Sequence, residues 1–157
     1  MTDMKRRLFL KGSVAVGAVG AGLASGLFTP RAVLADWSES AFHATKIPAA
    51  LNGLFGTDTT EVSDAIQIKA PDIAENGAVV PVTVKTDLED VSHIVIIAAA
   101  NATPLVADFE LSELSVPFVA TRIKMGKTAD VVAVVKAGGK LYSARKAVKV
   151  TIGGCGG

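Results

Sequence analysis

The residue best placed to do chemistry in this chain is its only cysteine, Cys155, two positions before the last residue. Gly153 and Gly154 precede it, and Gly156 and Gly157 follow it. A structural cysteine normally sits inside a packed element, where it acts as a small hydrophobe. Four neighbouring glycines offer no side chains to pack and maximal backbone freedom. Chain ends are also poorly ordered unless something ties them down. The stretch reads as a flexible swinging arm, 153–157, that carries a thiol. Four residues separate Thr151 from Cys155, so the sulfur can sweep roughly 14 Å with the arm extended. Glycine is the thinnest chain available, so such an arm fits a narrow slot in another protein. The expected role is a carrier: a compact body that offers one covalent attachment point to several partners.

The thiol itself is a modest nucleophile. A free thiol titrates at about pH 8.5 and is activated by nearby cations, helix N-termini or metals. The sequence places none of these beside Cys155, and the terminal carboxylate opposes ionisation. Only a few per cent is thiolate near neutral pH, so activation must come from whatever site the arm enters. An odd cysteine also suits intermolecular pairing. The alternative reading is therefore an exported structural subunit whose tail cysteine forms an intermolecular disulfide.

Other reactive groups do not assemble into a site. His43 and His93 lie about 50 residues apart, and no His/Cys cluster has metal spacing. His43 reads as a surface helix residue and His93 as a strand residue at a sheet rim. Asp87, Glu89 and Asp90 read as a solvated turn. Gly138-Gly139 is a hairpin signal, because no Gly-Lys-Ser/Thr and no helix follow it. With no nucleophile, base and orienting group in sight, the expectation is a substrate carrier and not an enzyme, with no catalytic residue, metal or cofactor of its own.

The elements that must position the thiol follow a period of two. Ile66 and Ile68 alternate with polar residues up to Pro71. Val80, Val82 and Val84 form the next apolar face. The nearly unbroken apolar run Val91–Ala100 predicts a strand covered on both faces. Leu105 to Leu111, Val119 to Met125, Val131 to Val135 and Leu141 to Ile152 complete the set, and two glycines turn the last hairpin. About seven strands with short turns predict an all-β, antiparallel immunoglobulin-like sandwich over 36–152. A short helix precedes it, capped by Asp36 or Ser38 and ended by Pro48. Residues 49–60, with Gly53 and Gly56, read as a broken helix or loop. The last strand fixes where the arm starts.

The first 35 residues read as an address. Lys5-Arg6-Arg7-Leu8-Phe9-Leu10-Lys11 resembles the twin-arginine export motif, with Lys5 where Ser or Thr is more usual. A glycine- and alanine-rich apolar run follows, and Val33-Leu34-Ala35 suits cleavage before Asp36. Such a signal delivers folded protein to the periplasm, and its removal leaves no stable membrane association. Residues 1–35 hold five basic groups and one acid, leaving 11 bases and 14 acids in the rest. That balance lacks the basic face of a nucleic-acid binder.

The tail Gly153-Gly154-Cys155-Gly156-Gly157, the preceding Val148-Lys149-Val150-Thr151-Ile152, the internal Ala120-Thr121-Arg122-Ile123-Lys124-Met125 and the export signal together resemble the SoxY family. These are the sulfur-carrier subunits of the periplasmic sulfur-oxidation (Sox) system. The resemblance implies an immunoglobulin-like sandwich that forms a heterodimer with a second β-sandwich subunit, SoxZ. It also implies that thiosulfate is joined oxidatively to Cys155 by a c-type cytochrome, SoxXA. A dimanganese hydrolase, SoxB, then releases sulfate, and in some organisms a molybdenum–haem dehydrogenase, SoxCD, oxidises the remaining sulfane. A ubiquitin-like sulfur carrier also ends in Gly-Gly, but its adenylation chemistry is cytoplasmic, and the export signal and strand pattern argue against it.

Overall fold

The computed structural model describes residues 38–152. The expectations for 1–35, including Arg6 and Arg7, and for Gly153–Gly157, including Cys155, lie outside that range.

Two helices come first, α1 (Glu39–Phe42) and α2 (Ile47–Phe55). Nine strands follow: β1 (Glu61–Val62), β2 (Ile66–Lys69), β3 (Ile73–Ala74), β4 (Val80–Thr86), β5 (Val91–Ala98), β6 (Leu105–Glu110), β7 (Phe118–Ile123), β8 (Ala129–Ala137) and β9 (Lys140–Val150). The larger sheet has the order β1-β9-β8-β5-β6, with β3 also on β9, and the smaller has the order β2-β4-β7. The fold is an all-β sandwich, with the seven strands expected from the period-two pattern as its frame.

Each face of the larger sheet has its own core. Alternate residues Ile94, Ile96, Val131, Ala133, Val135 and Val148 pack toward Val80, Val82 and Val84 of the smaller sheet. The residues between them, Val95, Ile97, Val132, Val134 and Leu141, pack under Ala50 and Leu51 of α2. The apolar run of β5 is therefore covered on both sides, as its lack of alternation predicts. Each fully buried Val or Ile contributes about 1.5–3 kcal/mol, which lets the sandwich hold without a disulfide between its sheets.

Four local features differ from the sequence reading. Pro48 starts α2 and does not end α1; it occupies the first turn, where its missing N–H costs nothing. Gly56 then closes α2 in the left-handed conformation at φ 71°. Ser38 precedes α1 but does not cap it, because its hydroxyl donates to the Gly53 carbonyl at 3.1 Å. Gly53 is where the helices touch: a Cβ there would lie 3.0 Å from the Ala41 Cβ.

The strands differ in two places. A bulge between Ile96 and Ile97 pairs Ala107 with the first and Leu105 with the second. Parity shifts at Val106, so Leu105 faces the helices while Phe109 and Leu111 face the other sheet. The sandwich is also not wholly antiparallel. β1 and β3 pair parallel with β9, at Glu61↔Tyr142 and Ile73↔Lys149. Two residues carry no readable period, and both pieces form because β9 presents an open edge.

Candidate functional site

β9 carries the chain to the point where the terminal glycines begin. It pairs with β8 from Ala137↔Lys140 at the hairpin to Ala129↔Val148, and its last two residues, Lys149 and Val150, pair with β3. Gly138 and Gly139 make that hairpin with φ of 54° and 80°, which fixes the register of the strand that leads out. Val148 is fully buried and is the last deep anchor of β9.

The regular strand stops at Val150, two residues earlier than its apolar pattern predicts. Thr151 and Ile152 leave the ladder because a loop on the other side holds them. The Thr151 N–H donates to the Ala74 carbonyl at 3.1 Å, and its hydroxyl donates to the Glu75 carbonyl at 2.9 Å. The Gly77 N–H donates to the Ile152 carbonyl at 2.8 Å, and the Met125 N–H donates to the Gly77 carbonyl at 2.7 Å. Ile152 does not join the sandwich face; its side chain is 61% exposed.

Two polar side chains complete this knot. Thr128 Oγ1 accepts from the Val150 N–H at 2.9 Å and donates to the Val150 carbonyl at 3.3 Å. Asn101 Nδ2 donates to the Lys124 carbonyl at 2.8 Å, and its Oδ1 accepts from the Gly126 N–H at 2.9 Å. Between them Met125 is fully buried and closes this end of the inter-sheet core. Sequence reading gives no role to Asn101 or Thr128, whose partners are 22 or more residues away. The chain therefore enters the glycine segment from a fixed point, with a direction set by paired backbone groups.

Charge divides along the strand axis. Around the exit stand Arg122, Lys124, Lys127, Lys146 and Lys149, against Asp72, Glu75 and Asp130. Lys146 Nζ lies 2.7 Å from Asp72 Oδ1, and this ammonium holds the Asp72 carboxyl below the usual carboxylate range. At the hairpin end stand Glu61, Asp64, Asp87, Glu89, Asp90, Glu110 and Glu113, against Lys85, Lys136 and Lys140. A cleft of about 440 Å³ opens there, lined by Leu88, Asp90, Ser92, Leu111, Glu113 and Pro117 among others. The full length of β9 lies between the two ends, roughly 33 Å for ten residue steps, so the cleft is beyond the reach of the tail's five residues.

The histidines do not build a second centre. His93 Nδ1 lies 3.1 Å from Asp108 Oδ1, and its ring meets Phe55 edge-on at 5.2 Å between centroids. Lys136 Nζ sits over the Phe55 ring, 5.2 Å from its centre. This group pins the C-terminal end of α2 to β5, β6 and β8, with no nucleophile in it. His43 pairs loosely with Glu39 on the surface of α1, 3.8 Å apart. Among the described residues no group of three or more His, Cys, Asp or Glu side chains is placed to hold a metal ion. Among them, too, no helix is long and apolar enough to cross a membrane.

Known proteins give the arrangement its context. No curated protein shows significant similarity to the sequence. The chain resembles the solved structure of the sulfur carrier protein SoxY from Chlorobium limicola f thiosulfatophilum, at 50% identity and a TM-score of 0.63, over 73% of this chain and 99% of that one. A superoxide reductase (neelaredoxin) from Ignicoccus hospitalis shares the fold alone, at 16% identity and a TM-score of 0.51, over 58% of this chain and 94% of that one. The family model for the sulfur oxidation protein SoxY matches residues 51–155, a span running from α2 to the cysteine of the tail. The chain thus belongs to the SoxY family of sulfur oxidation proteins.

Proposed function

We propose that this chain is a sulfur carrier that holds its cargo covalently on Cys155 during thiosulfate oxidation in the periplasm. The observation that carries this reading is the anchored exit. Backbone bonds hold the chain through Ile152, and the next residues are Gly-Gly-Cys-Gly-Gly. A fixed root with an unencumbered thiol beyond it suits presentation to several enzymes in turn. Ordering each flexible residue inside an enzyme costs about 1–2 kcal/mol, so each such complex stays releasable.

In this scheme the Cys155 sulfur bonds to the terminal sulfur of thiosulfate. Two electrons leave to a c-type cytochrome, SoxXA, and the thiol proton goes to solvent. The product is an S-thiosulfonate on Cys155. A hydrolase, SoxB, adds water to the sulfonate sulfur and breaks its bond to the sulfane sulfur, releasing sulfate. Where a sulfane dehydrogenase, SoxCD, is present, it oxidises the sulfur that stays on Cys155. Arg6 and Arg7 direct export by the twin-arginine route with cleavage before Asp36, and a SoxZ-like subunit travels as partner. The carrier itself supplies position and the sulfur atom, not catalysis.

Mass spectrometry of the periplasmic fraction of thiosulfate-grown cells tests all parts together. The expected species is a heterodimer whose chain starts at Asp36 and carries a sulfur adduct that Cys155→Ser abolishes. A periplasmic chain found only as a homodimer linked through Cys155, with no adduct under any growth condition, would establish the structural-subunit alternative instead.

A further inference from the structure

The two sheets differ in what covers their outer faces. α1 and α2 pack over the outer face of the larger sheet. The outer positions of the smaller sheet are exposed, with Thr83 alone half-buried. Alternation turns Ile66, Val80, Val82, Val84, Val119 and Ile123 inward, so the residues between them share the open face. Register places those residues side by side. Gln67 pairs with Lys85 and Lys85 with Phe118; Lys69 pairs with Thr83 and Thr83 with Ala120; Pro81 pairs with Arg122. Lys124 continues this face beyond β7, because Ile123 and Met125 on either side of it are buried in the inter-sheet core. Lys69, Lys85, Arg122 and Lys124 are exposed, and none of them has an ion-pair partner among the described residues. The face holds no acid: Asp64, Asp72 and Asp87 lie in the loops beyond the strand ends.

We propose that this face docks an acidic patch on a different protein. A solvated sheet face ordinarily mixes charges of both signs. Here four of the 11 bases beyond residue 35 share one face, in a stretch that holds 14 acids. Like charges on neighbouring strands repel, and an acidic surface laid over them reverses the sign of that interaction. From Lys85 to Arg122 is about 13 Å along the strands, and from β2 to β7 about 10 Å across them. That is the scale of a protein patch and not of one small anion. Pro81, Ala120 and the half-exposed Phe118 lie among the bases and supply flat apolar contact. Arg122 adds a bidentate fork for a carboxylate. With 11 bases against 14 acids the stretch carries −3, which repels an extended polyanion or an anionic bilayer. A compact acidic patch meets only the basic face, because other charges are screened beyond about 8 Å. A second copy offers a cluster of acids at its hairpin end, but a face-to-end contact is heterologous and does not close. The inference uses no part of the carrier reading.

The test is a photo-crosslink in cells that express the full chain. Ala120→p-benzoylphenylalanine puts the reactive ketone in the middle of the face, and mass spectrometry reads the captured peptide. The expected capture is one different protein, at a peptide rich in Asp and Glu. K69Q/K85Q/R122Q/K124Q should lower its yield roughly fivefold, since exposed charge pairs are individually weak and act here as a set. K46Q/K127Q/K140Q/K149Q removes the same number of charges from other exposed positions and should leave the yield unchanged. All eight side chains are exposed, so unfolding midpoints should move no more than surface substitutions do. K85E/R122E should abolish the capture, and changing the captured acids to Lys should restore it. Equal yields from the face variant and the unaltered chain would overturn the proposal. Equal losses in both glutamine variants would show a net-charge effect and also overturn it. Capture of lipid, nucleic acid or another copy of this chain, or no capture at all, would do the same.

Discussion

At the end where β9 runs out, four separate segments are sewn together by Thr128, Asn101, Gly77 and Thr151, and Met125 seals the core beneath them. At the opposite end the loops around residues 87–90 and 111–117 line an open cleft. Asp90 sits there in the left-handed region at φ 52°, and Leu114 and Val116 project into solvent at 97% and 78% exposure. Both ends are hydrogen-bonded, the open one from the Thr86 N–H to the Pro117 carbonyl and from the Leu111 N–H to the Ser92 carbonyl, but the exit end is in addition sealed by the buried Met125. Its acids collect at the end that the tail cannot reach. The lesson is that one sandwich builds a rigid root at the end where the chain leaves the sheet and an open cleft at the other.

The largest effect expected from breaking this contrast is at Met125. Met125→Ala opens a cavity under the knot and should cost about 2–5 kcal/mol in denaturant unfolding. If the loss is below 1 kcal/mol, Met125 is not the seal at this end. A smaller effect is expected at Asn101, whose amide makes two bonds across the loops. Asn101→Ala should cost about 1–2 kcal/mol and speed hydrogen exchange at Gly126 and Gly77 before any other core amide. Leu114→Ser, at the open end, should change stability by less than about 0.5 kcal/mol. Comparable losses for these two variants would erase the distinction between the ends.

The smallest effect concerns Asp72 and Lys146. The Asp72 carboxyl is held below its ordinary value of 3.8 by the hydrogen bond and charge of Lys146. A depressed carboxylate stabilises the fold above the unfolded value and loses that contribution as pH falls through the folded one. Lys146→Met should therefore be slightly less stable than the unaltered chain at neutral pH, with the gap closing below about pH 4. The pair is exposed, so salt should shrink the gap as well. A gap that widens in acid would mean the pair has the wrong sign.

Much of this protein was legible in its sequence because the relevant physics is local. Alternation at Val80–Val84, the unbroken run of β5 and the Gly138-Gly139 turn each follow from side-chain period and glycine φ, and the strands appear where those patterns place them. The short strands β1 and β3, the bulge at Val106 and the change of face at Leu105 were not legible, since register depends on which edge a segment meets. Pro48 shows the same limit within a helix: the ring says a boundary is near, but packing of α2 on the sheet decides which side of it is helical.

For the candidate site, the sequence by itself determined the groups on offer: one thiol, set among glycines, with no basic residue within five positions before it. The spacing of Cys155 from Ile152 is covalent and needs no fold. Only the tertiary structure decided how the root is held, because Asn101, Thr128, Gly77 and Ile152 come from distant parts of the chain and meet at one end of the sandwich. Only it brought Lys146 to Asp72, 74 residues away in sequence. Linear neighbourhood sets what a group can react with, whereas charge acts through space, and space is assigned by the sheet.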